Sequence, residues 1–307
     1  MPRKKRARPK SSRRQISGGV RDDRFLLDQF STQDLRRWKR NSNLLNRYRV
    51  RQFYELEGLR ELSRESLVDA LKQTPYDHLR INEWARIVSY RYSDKPLSAK
   101  GSLFGGGRFN VGSNLDSSRF TPFPALYIAT DYDTAYAERF GSPPNSDPGL
   151  QPHELSLVSP RSFTNVSLNG ETYGLFDLRS QRNLSRFSKI ISEFRMPGEL
   201  LQLATDLGLP GPLLLTKPKQ LFESLMGTWT DMPSQYGLPS NSQIFARFAR
   251  EAGFEGIVYK STKGPGICVA LFLDMWEGSD SYVELGDEAP FSSTITRLDQ
   301  NSAKDLY

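Results

Sequence analysis

Three consecutive glycines at positions 105–107, followed at once by Arg108, restrict the fold of this 307-residue chain more than any other feature. Glycine loses more conformational freedom on folding than any other residue, so three in a row are unfavourable unless the backbone must turn tightly or approach another group closely. Residues 84–90 and 125–129 have the apolar, β-branched and aromatic character of strands, and residues 133–140 that of a helix capped by Thr130. The segment therefore predicts strand, glycine turn, strand and helix in that order.

The rest of the chain mixes strands and helices without regular alternation. Further strands are predicted at 155–158, 256–259 and 268–273, and further helices at 184–194, 197–206 and 243–252. Residues 24–75 carry apolar side chains at helical spacing, with helix starts expected at Ser31/Thr32 and at Ser63. Because a doubly wound parallel sheet requires repeated strand–helix–strand units, an α+β fold is the better prediction.

The positive charge of the chain belongs to its N-terminus. The net charge is +7, but residues 1–21 contain nine Lys and Arg and no acidic residue, which leaves −2 for the remainder. A basic tail with Pro, Ser and Gly interspersed is typical of a disordered segment. Such a tail would contact nucleic acid or an acidic partner through its charge, or would be a solubilising extension without a partner. The sequence leaves both interpretations open.

The composition predicts a folded, cytoplasmic protein. A hydrophobic content of 37% supports a packed core. Cys268 is the single cysteine, so no intrachain disulfide can form, and we expect it to be a small buried hydrophobe. With His78 and His153 it does not make a zinc site of usual spacing, so no metal is expected. No apolar stretch has the roughly 20 residues of a membrane span, and the N-terminus lacks the apolar core of a secretory signal.

Five residues form a candidate catalytic set, although most of them have an ordinary structural explanation when taken alone. Arg86 interrupts an apolar strand, where a charge needs a partner, a ligand or exposure to solvent. Arg108, on the glycine turn, is placed to grip phosphate oxygens. Tyr127 suits either a ring-binding slot or a core position. Glu138 on its helix would ordinarily be solvated, and Ser261 at a strand end would ordinarily be a turn residue.

Together these segments resemble the RES-domain family, the toxin component of certain bacterial toxin–antitoxin pairs, which is named for arginine, glutamate and serine positions. The resemblance covers roughly residues 84–272. It rests on Arg86, Gly106-Gly107-Arg108-Phe109-Asn110, Leu126-Tyr127-Ile128, Ala135-Tyr136-Ala137-Glu138, Ser242-Gln243 and Gly256-Ile257-Val258-Tyr259-Lys260-Ser261. The chain departs from the family at Phe109, which replaces the usual tryptophan, at about eight extra residues (113–120), and at Ile267-Cys268, where an asparagine is often found.

The resemblance implies a fold similar to ADP-ribosyltransferases, with two small antiparallel sheets around an NAD cleft and flanking helices. It implies NAD as the substrate, cleaved between nicotinamide and ribose. Arg86 and Arg108 would then hold the pyrophosphate or an incoming phosphate, Tyr127 would pack against nicotinamide, and Glu138 would engage the ribose and stabilise the cation. Ser261 would hydrogen-bond the ligand. The cofactor-binding set implied in this way is Gly106, Gly107, Arg108, Asn110 and Tyr127.

Three functions follow as hypotheses. The first is an NAD-degrading toxin that uses inorganic phosphate or water as acceptor and pairs with an antitoxin protein. The second is a transferase that places ADP-ribose on a protein or nucleic acid, and the third is a non-catalytic protein that grips polyanions. The expected organisation is a basic tail at 1–22, a helical extension at 23–80, a RES-like catalytic domain at 81–290 and a C-terminal tail at 291–307.

Overall fold

The computed structural model describes residues 31–141, 162–209, 211, 214–289, 293 and 295–306. The chain divides into two compact units, Met1–Leu45 and Asn46–Tyr307. The first helix, α1 (Thr32–Leu62), begins in the first unit and ends in the second. Ser31 Oγ accepts a hydrogen bond from the Asp34 amide at 3.1 Å, while the Asp34 carboxylate accepts one from the Ser31 amide at 3.2 Å. This reciprocal capping confirms the predicted helix start.

Five of the eight further helices in the described residues lie in segments predicted to be helical. The eight helices are α2 (Arg64–Lys72), α3 (Lys100–Gly105), α4 (Tyr132–Phe140), α5 (Ser185–Ile191), α6 (Gly198–Asp206), α7 (Pro218–Met226), α8 (Asp231–Tyr236) and α9 (Asn241–Glu251). Helices expected at 133–140, 197–206 and 243–252 are confirmed to within two residues at either end. Helices α3, α7 and α8 were not predicted from the sequence.

The strands form a seven-stranded mixed sheet, so the α+β class is confirmed. They are β1 (Asp77–Ser89), β2 (Leu126–Ala129), β3 (Phe163–Asp177), β4 (Gly256–Lys260), β5 (Ile267–Leu271), β6 (Tyr282–Leu285) and β7 (Arg297–Leu298). The strand order is β1-β2-β5-β4-β3-β6-β7, and an additional antiparallel pairing joins β1 to β3. Only β3 and β4 pair in parallel among the described strands.

The two sheets implied by the family resemblance are here parts of one continuous sheet. The pairing of β1 with β3 closes strands β1, β2, β5, β4 and β3 into a ring, from which β6 and β7 extend. β1 can pair with both β2 and β3 because it is irregular. Its register with β3 shifts twice, between Asp77 and Leu79 and between Ile81 and Trp84. Bulges of this kind bend a strand and increase its twist.

Strand β3 was missed by the sequence analysis, and the strand expected at 155–158 lies outside the described residues. β3 contains Gly170 and Gly174, both at positive φ, and many polar residues, so its sequence lacks a strand pattern. Its pairing partners on both sides, β1 and β6, hold it extended. Tertiary pairing therefore overrides local propensity here.

Two hydrophobic clusters fill the interior of the described part of the chain. The larger packs α2, α5, α7 and α9 on the sheet through buried side chains such as Leu71, Phe187 and Phe248. The smaller includes Trp84, Leu126 and Trp276. The strands β2, β4 and β5 contribute to both clusters and are almost wholly buried, which makes them a rigid support for the polar residues at their ends.

Candidate active site

The glycine turn follows α3 and is shaped by two of its three glycines. Gly106 has φ +66°, a conformation that side chains with a Cβ rarely adopt. Gly107 forms a bridge with Asn110, in which the Gly107 amide donates to the Asn110 carbonyl at 3.0 Å. A Cβ on Gly107 would lie 2.7 Å from Cζ of Tyr127, well inside van der Waals contact. The turn is therefore packed directly against the tyrosine ring.

Buried amides hold this turn from the inside. Asn110 is fully buried, and its Nδ2 donates to the carbonyls of Ser102 at 2.9 Å and Phe123 at 3.1 Å. Gln243, at the start of α9, donates through Nε2 to the carbonyls of Gly107 and Asn110, both at 3.0 Å. Its own Oε1 accepts from the Ser240 amide in a capping box, which fixes its rotamer. The turn is thus anchored to a helix 133 residues further along the chain.

Tyr127, on β2, closes the turn with its hydroxyl. The phenolic oxygen accepts from the Phe109 amide at 2.9 Å and donates to Oδ1 of Asn110 at 2.9 Å. Burial raises the pKa of Tyr127, so the phenol stays protonated and keeps both hydrogen bonds. Phe109 itself points into the core, edge-on to Tyr259 at 5.0 Å between ring centroids. The tyrosine therefore orients the backbone on both sides of Arg108.

Arg108 is buried, with 7% exposure, and no carboxylate of the described residues lies within ion-pair distance of it. Its Nη1 donates to the carbonyls of Gly227 at 2.7 Å and Leu225 at 3.2 Å, at the end of α7. Its Nη2 donates to Oγ1 of Thr262 at 3.3 Å. These bonds use three of the five N–H groups of a guanidinium. A buried cation that has unused N–H donors and no carboxylate of the described residues within ion-pair distance suits an anionic ligand.

Glu138 and Ser261 meet beside Arg108. The Ser261 hydroxyl donates to Oε1 of Glu138 at 2.6 Å, and the Thr262 amide donates to the same oxygen at 3.3 Å. Ser261 Oγ also accepts from the amides of Lys263 at 3.1 Å and Gly264 at 2.8 Å, so its proton and both lone pairs are engaged. Oε2 of Glu138 receives no hydrogen bond from the described residues, and the side chain is half-buried. One carboxylate oxygen is thus fixed and the other is available.

The helix that carries Glu138 is aligned by Asp131 rather than by Thr130, which corrects the predicted cap. Asp131 Oδ1 accepts from the Thr134 amide at 2.7 Å. Thr130 Oγ1 donates to Asp131 and accepts from the Ile267 amide at 3.1 Å, so it fastens the cap to β5. Thr134 Oγ1 similarly accepts from the Gly266 amide at 2.9 Å. The start of α4 and the turn between β4 and β5 are therefore one hydrogen-bonded unit, which brings Glu138 to Ser261.

Arg86 lies beneath this site and binds main-chain oxygens. Its Nε donates to the carbonyl of Pro96 at 2.9 Å, Nη1 to that of Tyr127 at 2.9 Å and Nη2 to that of Ser98 at 2.8 Å. Burial, with a smaller contribution from the charge of Arg139, lowers the pKa of Arg86 to about 10, so it remains a cation at neutral pH. The guanidinium fastens the segment before α3 to the strand that carries Tyr127.

The structure brings Arg108, Glu138 and Ser261 together through one residue, Thr262, which the sequence analysis did not single out. Tyr127 is connected to Arg108 through its hydrogen bond with the Phe109 amide. Arg86 is not hydrogen-bonded to the side chain of any of these residues; it binds the carbonyl of Tyr127. Gln243 was quoted for the family resemblance but given no role. In the sequence, Thr262 could have been noticed because it directly follows Ser261. Gln243 could have been noticed because it stands three residues after Ser240 in a capping-box pattern.

Two buried groups on β4 and β5 lie behind the Glu138 carboxylate. Cys268 is buried as predicted, and burial together with the charge of Glu138 raises its pKa to about 12. Burial likewise raises the pKa of Tyr259, with smaller contributions from Cys268, Glu138 and Tyr127. Both groups are therefore neutral at physiological pH.

Other features of the described residues set limits on the site. No group of three or more His, Cys, Asp and Glu side chains in this part of the chain is arranged to hold a metal ion. A cavity of about 140 Å³ lies among the helices, and one of about 300 Å³ lies between α9 and the loop before β2; neither is lined by Arg108, Tyr127, Glu138 or Ser261. In the same described ranges, none of the helices is both long and apolar enough to cross a membrane.

The comparison with known families matches the RES domain over residues 83–291, more than half of the chain. The chain therefore belongs to the RES domain family. No curated protein sequence matches it. Among solved structures, a similar chain is found in the crystal structure of the M. tuberculosis MbcT–MbcA toxin–antitoxin complex, with 12% sequence identity, 79% of this chain and 97% of that chain covered, and a TM-score of 0.43.

Proposed function

We propose that this protein cleaves the nicotinamide–ribose bond of NAD and acts as the toxin of a bacterial toxin–antitoxin pair. The observation that carries the proposal is that Thr262 connects Glu138 to Arg108. Among the described residues, one carboxylate oxygen of Glu138 accepts no hydrogen bond, and Arg108 is buried without an ion-pair partner. A cation for phosphate and an anion for a developing sugar cation are the two charges this reaction requires. Membership in the RES domain family supports the same substrate and biological setting.

Arg108 supplies the anion-binding half of the site. Its unused N–H groups would donate to the pyrophosphate of NAD or to an incoming phosphate ion. The carbonyls of Leu225 and Gly227 hold the guanidinium in place before the ligand arrives. Pre-positioning reduces the entropy lost on binding. Gly106 and Gly107 shape the tight turn that carries this guanidinium, Gly107 by leaving room for the Tyr127 ring.

Glu138 supplies the negative charge that lowers the activation barrier for cleavage of the nicotinamide–ribose bond. When the C1′–N1 bond breaks, its electron pair goes to the pyridinium nitrogen, nicotinamide leaves as a neutral molecule, and positive charge develops on the ribose ring. A carboxylate already fixed by Ser261 and the Thr262 amide stabilises that charge without reorganising. Oε2 would accept a hydrogen bond from a ribose hydroxyl. An acceptor oxygen then bonds to C1′: a water molecule releases one proton to solvent, whereas a phosphate anion attacks through an oxygen that already carries negative charge.

In this proposal, Tyr127 and Arg86 hold other parts of the site in position. The Tyr127 hydroxyl fixes the backbone around Arg108, and its ring forms a wall for the nicotinamide end of the substrate. Arg86 holds the Tyr127 backbone and the segment before α3. The hydrogen bonds of Arg86 and Ser261 therefore favour positioning roles over the direct ligand contacts that the family resemblance implies.

The experiment is an assay of NAD consumption and nicotinamide release by the purified full-length chain, with and without inorganic phosphate. Release in both buffers indicates hydrolysis, and release only with phosphate indicates phosphorolysis. Transfer to a protein or nucleic acid would require that macromolecule and would leave ADP-ribose bound to it. No nicotinamide release at high enzyme concentration, under any of these conditions, would falsify the proposed function.

A further inference from the structure

The positive charge of this protein is concentrated in the unit Met1–Leu45. That unit contains 14 Lys and Arg and 4 Asp and Glu, a net charge of +10. The unit Asn46–Tyr307 contains 28 basic and 31 acidic residues, a net charge of −3. The catalytic residues proposed above all belong to the second unit. The basic unit therefore needs a different explanation.

Four cations in the described part of this unit form a single surface, named here the basic face: Arg36, Arg37, Lys39 and Arg40. All four are exposed on α1. At 100° per residue they span an arc of about 160°, and at 1.5 Å per residue they extend about 6 Å along the helix axis. Among the described residues, no carboxylate lies within ion-pair distance of these four side chains.

The acid nearest in sequence does not neutralise the basic face. The Asp34 carboxylate accepts hydrogen bonds from the Ser31 hydroxyl at 2.6 Å and the Ser31 amide at 3.2 Å. These bonds, more than the charge of Arg37, hold the pKa of Asp34 below its usual range. Asp34 is thus committed to capping the helix, and the four cations face solvent together.

We infer that the basic face binds the phosphodiester backbone of a nucleic-acid duplex. A duplex carries about one negative charge per 1.7 Å of its axis, so a compact group of four cations can neutralise several phosphates at once. The nine further cations at positions 1–21 precede this surface in the chain and would add to the attraction. A lipid membrane is disfavoured, because an interfacial helix needs a broad apolar face and, among the described residues of this unit, only Leu35 and Trp38 are large, apolar and exposed.

The test compares two variants of the full chain that lose the same charge. The first is R36Q/R37Q/K39Q/R40Q, and the control is R182Q/K189Q/K219Q/K304Q, whose four side chains are exposed in the other unit. Binding to a fluorescent DNA duplex is measured by anisotropy from 50 to 300 mM salt. Each phosphate contact contributes about 0.9 to the slope of log K against log salt, so the first variant should lower the slope by up to about 3.6. The control should keep the wild-type slope.

Three further arms decide the outcome. A deletion of residues 1–21 should weaken binding but keep the part of the slope that the basic face supplies. An RNA duplex of the same sequence is compared with the DNA duplex to show which nucleic acid is bound more tightly. Binding to either duplex supports the inference if it depends on the basic face. Equal slopes for the two quadruple variants, or binding only to anionic lipid vesicles, overturn it. Circular dichroism confirms that α1 persists, and nicotinamide release, measured in parallel, tests the proposed catalytic function separately.

Discussion

The hydroxyl of Ser261 donates a 2.6 Å hydrogen bond to Oε1 of Glu138, across 123 residues of sequence. The same hydroxyl accepts from two consecutive backbone amides, those of Lys263 and Gly264, which fixes its position. The turn between β4 and β5 therefore determines where one oxygen of the carboxylate lies. Because Oε2 receives no hydrogen bond from the described residues, the pair combines a rigidly held charge with a free hydrogen-bond acceptor.

Glu138→Gln keeps the shape of the side chain and removes its charge. Loss of one pre-positioned electrostatic group typically lowers the rate about 10²–10³-fold, and we expect a fall of that size in the kcat of nicotinamide release. Asp133→Asn on the same helix is the matched control, since Asp133 is exposed, and it should keep nearly full activity. Thermal unfolding should be similar for both variants. A fully active Glu138→Gln enzyme would show that the chemistry lies elsewhere.

Ser261→Ala removes the hydrogen bond that orients Glu138. Hydrogen bonds to charged groups contribute about 1.5–3 kcal/mol, which corresponds to a decrease in kcat of about 10- to 100-fold. If Ser261 acts through Glu138, the double variant Ser261→Ala/Glu138→Gln should be no slower than Glu138→Gln alone. Additive losses, or an increase in KM without a change in kcat, would instead indicate that Ser261 contacts the substrate directly.

Gly107→Ala forces a methyl group against the Tyr127 ring. Overpacking of this kind typically destabilises a protein by about 1–3 kcal/mol, and here it also displaces the backbone next to Arg108. We expect a lower Tm and a higher KM for NAD. Gly105→Ala is the matched control, because nothing lies within 4 Å of a Cβ at Gly105, and it should be neutral or slightly stabilising. Equal behaviour of the two variants would contradict the close packing of the turn.

Arg86→Lys tests the structural role of the half-buried Arg86 guanidinium. Lysine cannot donate to the carbonyls of Pro96, Ser98 and Tyr127 together, so we expect the free energy of unfolding to fall by about 2–5 kcal/mol. Arg80→Lys on the same strand is the control, since Arg80 is exposed and should change stability by no more than about 0.5 kcal/mol. Unchanged stability with a raised KM for NAD would favour direct phosphate binding by Arg86.

Cys268 reports on the integrity of β5. Its thiol is buried and its pKa is raised to about 12, so a disulfide reagent should leave the native protein unmodified at pH 8 and label one thiol per chain after unfolding. Because the folded pKa exceeds the unfolded value, the stabilisation linked to this thiol is complete below about pH 9 and is lost as the pH rises towards 12. The stability advantage of wild type over Cys268→Ala should therefore shrink above pH 9, as measured by urea unfolding. Rapid native labelling would contradict the burial.

Periodicity and local motifs were sufficient to predict much of the fold. The helices near 133–140, 197–206 and 243–252 and the strands β2, β4 and β5 carry clear apolar patterns, and the small hydroxyl residues Ser31/Thr32 indicated the start of α1. These features depend on residues close together in sequence. The long polar strand β3 could not be found in this way, because its extended backbone depends on pairing with β1 and β6.

By itself, the sequence determined the α+β class, the segregation of positive charge at the N-terminus, the burial of Cys268 and the candidate residues from Arg86 to Ser261. The tertiary structure decided how those residues are used. It surrounds Arg86 with three main-chain carbonyls, saturates the Ser261 hydroxyl, and places Thr262 between Arg108 and Glu138. The physical reason is that residue types limit which hydrogen bonds and charges are available. Distant partners, such as Pro96 for Arg86 and Thr262 for Arg108, 10 and 154 residues away, are chosen only when the strands pair and the helices pack.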